Sequence, residues 1–412
     1  MSLTDAVLHW HHASTASTAV DRWLVRQLYR QVAPAPIRFV LWDGAWSGAA
    51  EPTATITIRD RTTLAGVSVH PDLYFGEGYM RGTLEVDADD LGDALTVLYE
   101  GLRAHRAPAA RPARRWRRGS APSARRSWAN VHHHYDLGND FYRRWLDDGM
   151  LYTCAYYDRP TQTLEEAQRA KMELVCRKLA LRPGDRVVEA GCGWGALARY
   201  MAARHGVRVR AYNLSGEQVA YARERSTRDG LADRVEFVQD DYRTIEGTYD
   251  VFVSIGMLEH VGLDHYDTLG ALMQRVLAPG GRGLLHFIGR SHAAPLNAWI
   301  RRRIFPGAYP PTLSEVSGRV LEPHGFTVTD VENLRPHYAR TLAAWRERFE
   351  AAAGDIERRF DARFVRAWRL YLAGSEASFR AGSVELFQVA FARSDAPVPW
   401  SRAALHATPL VD

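Results

Sequence analysis

The sequence predicts an α/β protein, with a mostly parallel sheet covered by helices on both faces and a small α+β unit before it. After residue 130, apolar strand-like runs alternate with helical segments, which is the pattern of a parallel sheet with crossover helices. Before that point, short strands of alternating hydrophobicity are separated by turn residues. The strand-like runs of the larger part are RVVEAG, VRVRAYNL, RVEFVQD, YDVFVSIG and RGLLHFIG.

The first 105 residues predict a small α+β domain. Ala19–Val32 and Asp89–Leu102 have helical patterns, whereas IRFVLWDG, ATITIRD and GTLEVDA have strand character. Near the other end, Arg340–Ala381 predicts a long charged helical region, and QVAFARS predicts a last strand. We therefore expect domains over 1–105 and 129–412, joined by a basic linker over 106–128.

Composition is that of an ordinary globular protein, with 412 residues, 46% of them hydrophobic and 25% charged. No apolar run approaches the roughly 20 residues that a membrane span needs. The first residues do not show the basic start and apolar stretch of a signal peptide, so we expect a cytoplasmic location. Cys154, Cys176 and Cys192 form no CxxC pair. The cysteines therefore predict neither a disulfide framework nor a zinc knuckle.

Positive charge is concentrated between Arg103 and Arg126, where nine arginines occur without an acidic residue. The formal net charge is only +5, so the rest of the chain is mildly acidic. Two interpretations stay open: a solvated hinge, or a segment that lies on anionic phospholipid, where each arginine contributes about 1 kcal/mol. A nucleic-acid partner is not expected, because no recognisable reading module accompanies the arginines.

The sharpest local signal is a glycine loop, Val187-Val-Glu-Ala-Gly-Cys-Gly-Trp-Gly195, between an apolar strand and a helix that begins near Ala196. Glycines allow close approach of a ligand to the backbone, and the helix start offers free N–H groups. The spacing is G-x-G-x-G, and the next strand ends without the acidic residue that holds a nicotinamide ribose. That strand ends at Asn213, and Gln218 follows five residues later. The side-chain amides of both residues can bind ribose hydroxyls. The alternative is a tight turn without a ligand.

Several segments, in order, resemble the cyclopropane-fatty-acyl-phospholipid synthase family, which includes the mycolic acid cyclopropane synthases. They cover residues 130–390, about two thirds of the chain. A leading segment, Phe75-Gly-Glu-Gly-Tyr-Met80 with Gly82, resembles the small first domain of the phospholipid-acting members. The segments of the larger part are HYDLGNDFY from His134, LYTCAYY from Leu151, EAGCGWG from Glu189, SIGMLEHVG from Ser254, LHFIG from Leu285, IFPG from Ile304 and HYARTLAAW from His337.

The resemblance implies a class I methyltransferase (Rossmann-like) fold with a seven-stranded sheet, S-adenosylmethionine as cofactor and an unsaturated phospholipid acyl chain as substrate. Transfer of the methyl to the alkene produces a carbocation, and loss of a proton closes a cyclopropane ring. Association with the inner face of the membrane and a homodimer are implied by the same resemblance. Methylation or exomethylene formation at the double bond, methylation of another small molecule, and a catalytically inactive lipid-binding protein remain as alternatives.

In this family the base is thought to be a bound bicarbonate ion, and all five of its ligand positions are matched. The backbones of Cys154 and Ile288 and the side chains of Glu259, His286 and Tyr338 are implied to hold it. Each has an ordinary alternative. Cys154 alone is more often a small buried apolar residue, His286 a satisfied histidine, Tyr338 a core residue and Glu259 part of a surface pair.

The cofactor contacts implied by matching positions fall into four groups. One group meets the methionine end, and Thr153 within it replaces the family's common serine but keeps the hydroxyl. The other three groups are the floor of the cofactor site, the residues that contact the ribose and the residues that contact the adenine. The full set is Tyr135, Tyr152, Thr153, Glu189, Gly191, Gly193, Gly195, Asn213, Leu214, Gln218, Asp241 and Tyr242.

Three further features have a structural interpretation by default. His132–His134 are adjacent and lack supporting Cys, Asp or Glu spacing, so a metal site is not expected. Aromatic residues around Trp299, Tyr309 and Trp345 predict packing, with an acyl-tunnel lining as the alternative. After Phe305-Pro-Gly307 the chain has Ala308 and Pro311, where the family often has glycine and serine, which leaves acyl selectivity open.

Overall fold

The computed structural model describes residues 16–105, 137–406 and 410. The arginine-rich segment 106–128, the histidines 132–134 and Tyr135 lie outside the described residues. The chain forms two compact units. The first holds the described residues of Met1–Ala107 together with Ala362–Leu370, and the second holds those of Pro108–Asp361 and Tyr371–Asp412.

The first unit contains a small sheet and short helices, as predicted. Along β1, Ile37, Phe39 and Leu41 are buried while the residues between them are half-buried, so one face of the strand packs on the core. Its strands are β1 (Ile37–Leu41), β2 (Trp46–Gly48), β3 (Ala54–Ile58) and β4 (Leu84–Asp87), and its helices are α1 (Ala19–Arg30), α2 (Arg61–Val69), α3 (Pro71–Arg81) and α4 (Leu91–Ala104). The sheet order is β2-β1-β3-β4, with β1 and β3 parallel. Strand β2 was not predicted, because three residues are too few to show a pattern.

A seven-stranded, mostly parallel sheet forms the second unit, which confirms the predicted architecture. Its strands are β5 (Arg186–Ala190), β6 (Arg208–Asn213), β7 (Val235–Gln239), β8 (Tyr249–Ile255), β9 (Leu277–Gly289), β10 (Phe326–Asn333) and β11 (Glu385–Arg393). The order is β10-β11-β9-β8-β5-β6-β7, and β11 runs antiparallel to both of its neighbours. Strand β10 was not predicted. It is an edge strand that alternates weakly and keeps most of its residues partly exposed.

Helices connect these strands, and the long helical region near the end is broken in two. The predicted helical region over Arg340–Ala381 is helical but forms two helices, because the backbone leaves the helical conformation at Phe360 (φ −116°, ψ −98°). The helices are α5 (Asn139–Tyr142), α6 (Leu164–Lys178), α7 (Ala196–His205), α8 (Gly216–Arg228), α9 (Leu258–Val261), α10 (Tyr266–Val276), α11 (Ala298–Arg303), α12 (Leu313–Val316), α13 (Arg335–Arg359) and α14 (Ala362–Arg380).

The core of the second unit lies on both faces of its sheet. Successive residues of a strand point to opposite faces, and neighbours on β5 accordingly join different clusters. Val187 packs in a cluster with residues of α6 and α7, whereas Val188 packs in a cluster with residues of α10. This arrangement confirms the predicted helices on both faces of the sheet.

Strands β5, β6, β7 and β8 are parallel, so the segments that follow them meet at one edge of the sheet. Residues 191–195 follow β5, residues 214–215 follow β6, residues 240–242 follow β7 and residues 256–257 follow β8. In open parallel sheets, ligands bind outside the carboxyl ends of the strands. The fold therefore brings the predicted cofactor residues to one place.

Candidate active site

The glycine loop after β5 has a backbone that favours glycine at three positions. Gly191, Gly193 and Gly195 have φ of +84°, +52° and +75°, a region that residues with a Cβ rarely adopt. A Cβ at Gly195 would lie 2.5 Å from Cε1 of Phe237, whereas a Cβ at Gly193 would meet no atom within 4 Å. Gly193 therefore opens onto free space, and Gly195 allows close packing of α7 against the sheet.

One cavity at this edge of the sheet is lined by most of the predicted cofactor residues. The predicted residues that line it are Tyr152, Thr153, Glu189, Gly191, Gly193, Asn213, Leu214, Gln218, Asp241 and Tyr242. Gly195 does not line the cavity, and Tyr135 lies outside the described residues. The sequence did not single out several further lining residues, which include Met150, Leu151, Lys171, Met257, His260 and Pro306.

At the end of β6, two side-chain amides bind each other beside the glycine loop. Asn213 Nδ2 donates to Gln218 Oε1 at 2.7 Å and to the carbonyl of Gly193 at 3.0 Å. Nε2 of Gln218 is buried without a hydrogen-bond partner. An orphaned amide donor that lines a cavity is suited to a ligand hydroxyl, because a buried donor without a partner is costly.

The residues after β7 are held by an internal ion pair. The Asp241 carboxylate accepts from Nε and Nη2 of Arg243, both at 2.7 Å. Both oxygens of Asp241 are therefore engaged by Arg243, which sequence reasoning did not foresee. The Tyr242 hydroxyl is buried without a partner, and burial raises its pKa to about 12. This phenol remains protonated at neutral pH and keeps its donor capacity.

Residues 151–153, which also line the cavity, are tied to α6. The hydroxyls of Tyr152 and Tyr371 are hydrogen-bonded at 2.7 Å. The ammonium of Lys171 donates to Thr153 Oγ1 at 2.8 Å, and Gln168 Nε2 donates to the carbonyl of Thr153 at 2.9 Å. Two polar side chains on the buried face of α6 thus position this segment.

Lys171 and Glu189 place two charged groups of opposite sign in the cavity wall. Lys171 is 1% exposed and Glu189 is 3% exposed. Burial raises the pKa of Glu189 to about 7 against the attraction of Lys171, and burial lowers the pKa of Lys171 to about 8. The sequence did contain a signal for Lys171. Its helical spacing from Ala167 and Leu174 places it on the apolar side of the helix.

Glu259 and Ile288, both predicted to hold an anion, contact each other directly. Oε1 of Glu259 accepts from the Ile288 backbone N–H at 2.6 Å, while Oε2 is buried without a partner among the described residues. Burial raises the pKa of Glu259 to about 7, opposed by that backbone hydrogen bond. The Ile288 N–H is therefore committed to the carboxyl group, rather than standing free as the backbone donor that the sequence comparison implied.

His286 lies on the same strand as Ile288 and offers one ring nitrogen without a partner. Gln388 Nε2 lies 3.0 Å from its Nδ1, so Nδ1 accepts and the ring hydrogen is on Nε2. Nε2 is buried and has no hydrogen-bond partner within the part of the chain that the structure describes. Burial lowers the pKa of this imidazole well below its ordinary value, which keeps it neutral.

Cys154 and Tyr338 are connected through α13. The backbone N–H of Ala155 donates to Oγ1 of Thr341 at 3.0 Å, and Thr341 lies one helical turn after Tyr338. Cys154 is fully buried, and burial raises the pKa of its thiol, so the sulfur is not a nucleophile at neutral pH. The Cys154 thiol donates a hydrogen bond to the carbonyl of Ala155, with 3.1 Å between Sγ and the oxygen.

Trp299, Tyr309 and Trp345, the aromatic residues that the sequence singled out, are packed or hydrogen-bonded within the protein. Trp345 is fully buried, with its ring centroid 5.3 Å from that of Tyr152 and 6.0 Å from that of Tyr338. Tyr309 donates its hydroxyl to Glu315 at 3.0 Å, and Trp299 is 3% exposed. Neither Trp299, Tyr309 nor Trp345 lines the cavity. Within the described ranges, no group of three or more His, Cys, Asp or Glu side chains is arranged to hold a metal ion.

Comparison with known protein families identifies the larger unit. Residues 122–389 match the family model of mycolic acid cyclopropane synthetase. The chain belongs to this family. Residues 24–105 match a separate domain of unknown function (DUF7884).

Relatives with established names agree with this membership. The cyclopropane-fatty-acyl-phospholipid synthase of Escherichia coli is 39% identical over 82% of this chain and 88% of its own length. Tuberculostearic acid methyltransferase UfaA1 of Mycobacterium tuberculosis is 35% identical over 93% of both chains. Mycolic acid cyclopropane synthase CmaA1, solved with SAH and CTAB, is 32% identical with a TM-score of 0.62, over 65% of this chain and 98% of its own.

The predicted family and the class I methyltransferase fold are thus confirmed. The protein is an S-adenosylmethionine-dependent methyltransferase, and the cavity at the carboxyl ends of β5–β8 lies where this fold binds its cofactor. The individual contacts of each cofactor residue remain predictions.

Proposed function

We propose that this enzyme transfers a methylene from S-adenosylmethionine to the double bond of an unsaturated phospholipid acyl chain, forming a cyclopropane ring. The observation that carries the proposal is the combination of the cofactor cavity with a buried, partly unsatisfied set of polar groups at Glu259 and His286. Relatives named for cyclopropane synthesis support the same reaction class.

S-adenosylmethionine supplies the electrophilic methyl group when it is bound. An isolated alkene is a poor nucleophile, so the protein must hold the reacting atoms in line and keep water out. Met150, Leu151, Met257 and Pro306 give the cavity apolar walls suited to both tasks. At the other end, Asn213 and Gln218 are suited to hold the ribose hydroxyls.

We propose a bicarbonate ion as the source of the base, and the buried polar groups of Glu259 and His286 support this proposal. Hydrogen carbonate has one O–H to donate and oxygens that accept. Oε2 of Glu259 is a buried acceptor without a partner, and Nε2–H of His286 is a buried donor without one. Glu259 would take the O–H of the anion and His286 would donate to an oxygen, which satisfies both orphaned groups.

The remaining members of the predicted anion set have supporting roles in this proposal. Tyr338 is 8% exposed and lies one helical turn before Thr341, which accepts from the backbone N–H of Ala155 next to Cys154. The Ile288 N–H donates to Oε1 of Glu259, which leaves Oε2 as the oxygen that would bind the anion. Ile288 would then act by positioning Glu259 and not by binding the anion alone.

Methylation of the acyl chain, with loss of a different proton, is the second candidate. It is favoured by the similarity of this chain to a relative named as a tuberculostearic acid methyltransferase, which covers 93% of both chains. Both reactions share the same carbocation. They differ in which proton leaves, and that depends on how the substrate lies in the site.

Product analysis tests both candidates. The pure protein is incubated with S-adenosylmethionine and monounsaturated phospholipid vesicles, and the acyl products are measured by mass spectrometry and NMR. A gain of one CH₂ with ring-proton signals supports cyclopropanation, whereas the same gain with vinylic signals supports exomethylene formation. Absence of any product from unsaturated lipids would overturn the proposed substrate.

We further propose peripheral association with the inner face of the membrane. No helix within residues 16–105 and 137–406 is long and apolar enough to cross a bilayer. Helix α1 exposes Val20 (54%) and Trp23 (51%), together with the exposed arginines Arg22 and Arg26. Aromatic and basic residues on one helix face are typical of binding to anionic lipid interfaces.

Vesicle sedimentation with Trp23→Ser tests this surface. Weaker binding to anionic vesicles, with unchanged binding of S-adenosylhomocysteine, supports it, and unchanged vesicle binding contradicts it. We also propose a homodimer, from the family resemblance, which analytical ultracentrifugation tests directly.

A further inference from the structure

Lysine is used at only two positions in this chain, although lysine and arginine together number 53. Both lysines, Lys171 and Lys178, lie on α6, and the side chains of both are 1% exposed. Elsewhere the chain uses arginine for positive charge. The two lysines therefore occupy places where a compact ammonium is used instead of a guanidinium.

The two lysines differ in the groups that their ammonium groups contact. Lys178 forms ion pairs with Asp330 at 3.3 Å and with Glu332 at 2.5 Å, so its charge is neutralised inside the protein. Lys171 instead donates to a neutral hydroxyl, Thr153 Oγ1, at 2.8 Å. Among the described residues, its other two ammonium hydrogens have no hydrogen-bond acceptor.

The ammonium of Lys171 also decides what the Thr153 hydroxyl can do. An ammonium only donates, so Thr153 Oγ1 must accept from it, and the hydroxyl hydrogen is left to donate elsewhere. Thr153 lines the cavity, and its backbone is held by Gln168. The hydroxyl hydrogen and the spare ammonium hydrogens thus form a cluster of donors at one end of the cavity.

Glu189 supplies the complementary group in the same cavity wall. Its Oε2 is buried without a partner, and it attracts the Lys171 charge. The titratable groups that face Lys171 are Asp147, Cys154, Glu189 and His286. Asp147 is already engaged by the backbone N–H groups of Gly149 and Leu151.

We propose that Lys171 is a positioning residue: it fixes the Thr153 hydroxyl as a donor toward the zwitterionic amino-acid end of the cofactor, in the cavity wall that both residues share with Glu189. The carboxylate would face the donors of Thr153 and Lys171, and the ammonium would face Glu189. Such a ligand satisfies buried donors and a buried acceptor together. This inference rests on the proposed placement of the cofactor's methionine end near Thr153.

Two ligands that differ only in that end provide the test. S-adenosylhomocysteine carries the amino-acid group, whereas 5′-methylthioadenosine has the same nucleoside and thioether without it. Their dissociation constants are measured by calorimetry for the wild type, Lys171→Met and Thr153→Val. We expect both variants to bind S-adenosylhomocysteine about tenfold or more weakly, and methylthioadenosine within about twofold of the wild type.

Lys178→Met is the matched control, because it removes the other buried lysine of the same helix away from the cavity. It should leave the ratio of the two dissociation constants unchanged. Equal weakening of both ligands by Lys171→Met and Thr153→Val would mean a merely structural role and would overturn the inference. So would unchanged binding of both. A wild type that binds neither ligand would instead refute the proposed cofactor site itself.

Lysine NMR supplies a second readout that does not depend on the stability of the variants. Protein labelled with ¹³C at the lysine ε-carbon should give two side-chain signals, and Lys178→Met assigns them. Binding of S-adenosylhomocysteine should shift the Lys171 signal and raise its pKa, whereas methylthioadenosine should do neither. A Lys171 signal that responds equally to both ligands, or to neither, contradicts the inference.

Discussion

Replacement of Glu259 by glutamine separates the catalytic role of this residue from its effect on stability. The amide is close in shape to the carboxyl group and keeps the oxygen that accepts from Ile288 N–H. The other oxygen, Oε2, becomes an NH₂ group. An acceptor is thereby replaced by a donor at the place where the proposed bicarbonate O–H would be held.

Stability should move in the opposite direction to activity. Burial raises the pKa of Glu259 from 4.5 to about 7, a difference that corresponds to about 3 kcal/mol. The folded state of the wild type is penalised for holding the charged form, so this penalty is absent below pH 4.5, grows up to pH 7 and is complete above it. Glu259→Gln should therefore be more stable than the wild type at pH 8 and nearly equal to it at pH 4.5.

The assays are urea unfolding at the two pH values and product formation from monounsaturated phospholipid. We expect turnover to fall about 100-fold or more, with the affinity for S-adenosylhomocysteine unchanged. Glu166→Gln is the control, since Glu166 caps α6 at the surface and has no part in the site. Full activity of Glu259→Gln would refute the proposed role of the carboxylate, and lower stability at pH 8 would refute the electrostatic reasoning.

Three further predictions concern other parts of the chain. Replacing arginines of the Arg103–Arg126 stretch by serine should weaken binding to anionic vesicles by about fivefold per contacting arginine and reduce its salt dependence; unchanged binding in vesicle sedimentation would favour the solvated hinge. Since burial lowers the pKa of Lys171 to about 8, its charge is lost as the pH rises through that value. Calorimetry should therefore show S-adenosylhomocysteine affinity falling above pH 8 more in the wild type than in Lys171→Met, and parallel pH profiles would contradict this. Gly195→Ala should destabilise the fold by about 2–3 kcal/mol in urea unfolding, because its Cβ would meet Phe237 in a backbone with φ +75°. Gly230→Ala, at φ +69° with open space around it, should lose only about 1 kcal/mol, and equal losses would count against the packing argument.

The predicted cofactor residues converge because their positions follow from strand ends. Asn213 ends β6 and Asp241 follows β7, and parallel neighbours bring these ends to one edge of the sheet. Consecutive apolar residues such as Val187 and Val188 reveal a strand that is buried on both faces, and the glycines reveal the turn after β5. A local pattern thus predicted both the sheet and the position of the cavity.

Other features depend on contacts between segments that are distant in the sequence. The Ile288 N–H is taken by Glu259, which lies 29 residues earlier. Thr153 is held from α6 by Lys171, 18 residues later. Sequence reasoning did not single out Lys171, because nothing local shows that its side chain reaches a hydroxyl in the cavity wall.

By itself, the sequence determined the α/β class, the two-part organisation that we expect, the family and the glycine loop. These depend on periodicity, on residues with unusual backbone freedom and on ordered motifs, all of which are local properties. Only the tertiary structure decided which buried polar groups keep a partner: Glu259 Oε1 accepts from the Ile288 N–H, whereas Glu259 Oε2 and His286 Nε2 have no partner among the described residues. The physical reason is that burial and hydrogen-bond satisfaction are set by the whole surroundings of a group, and these form only when distant segments pack.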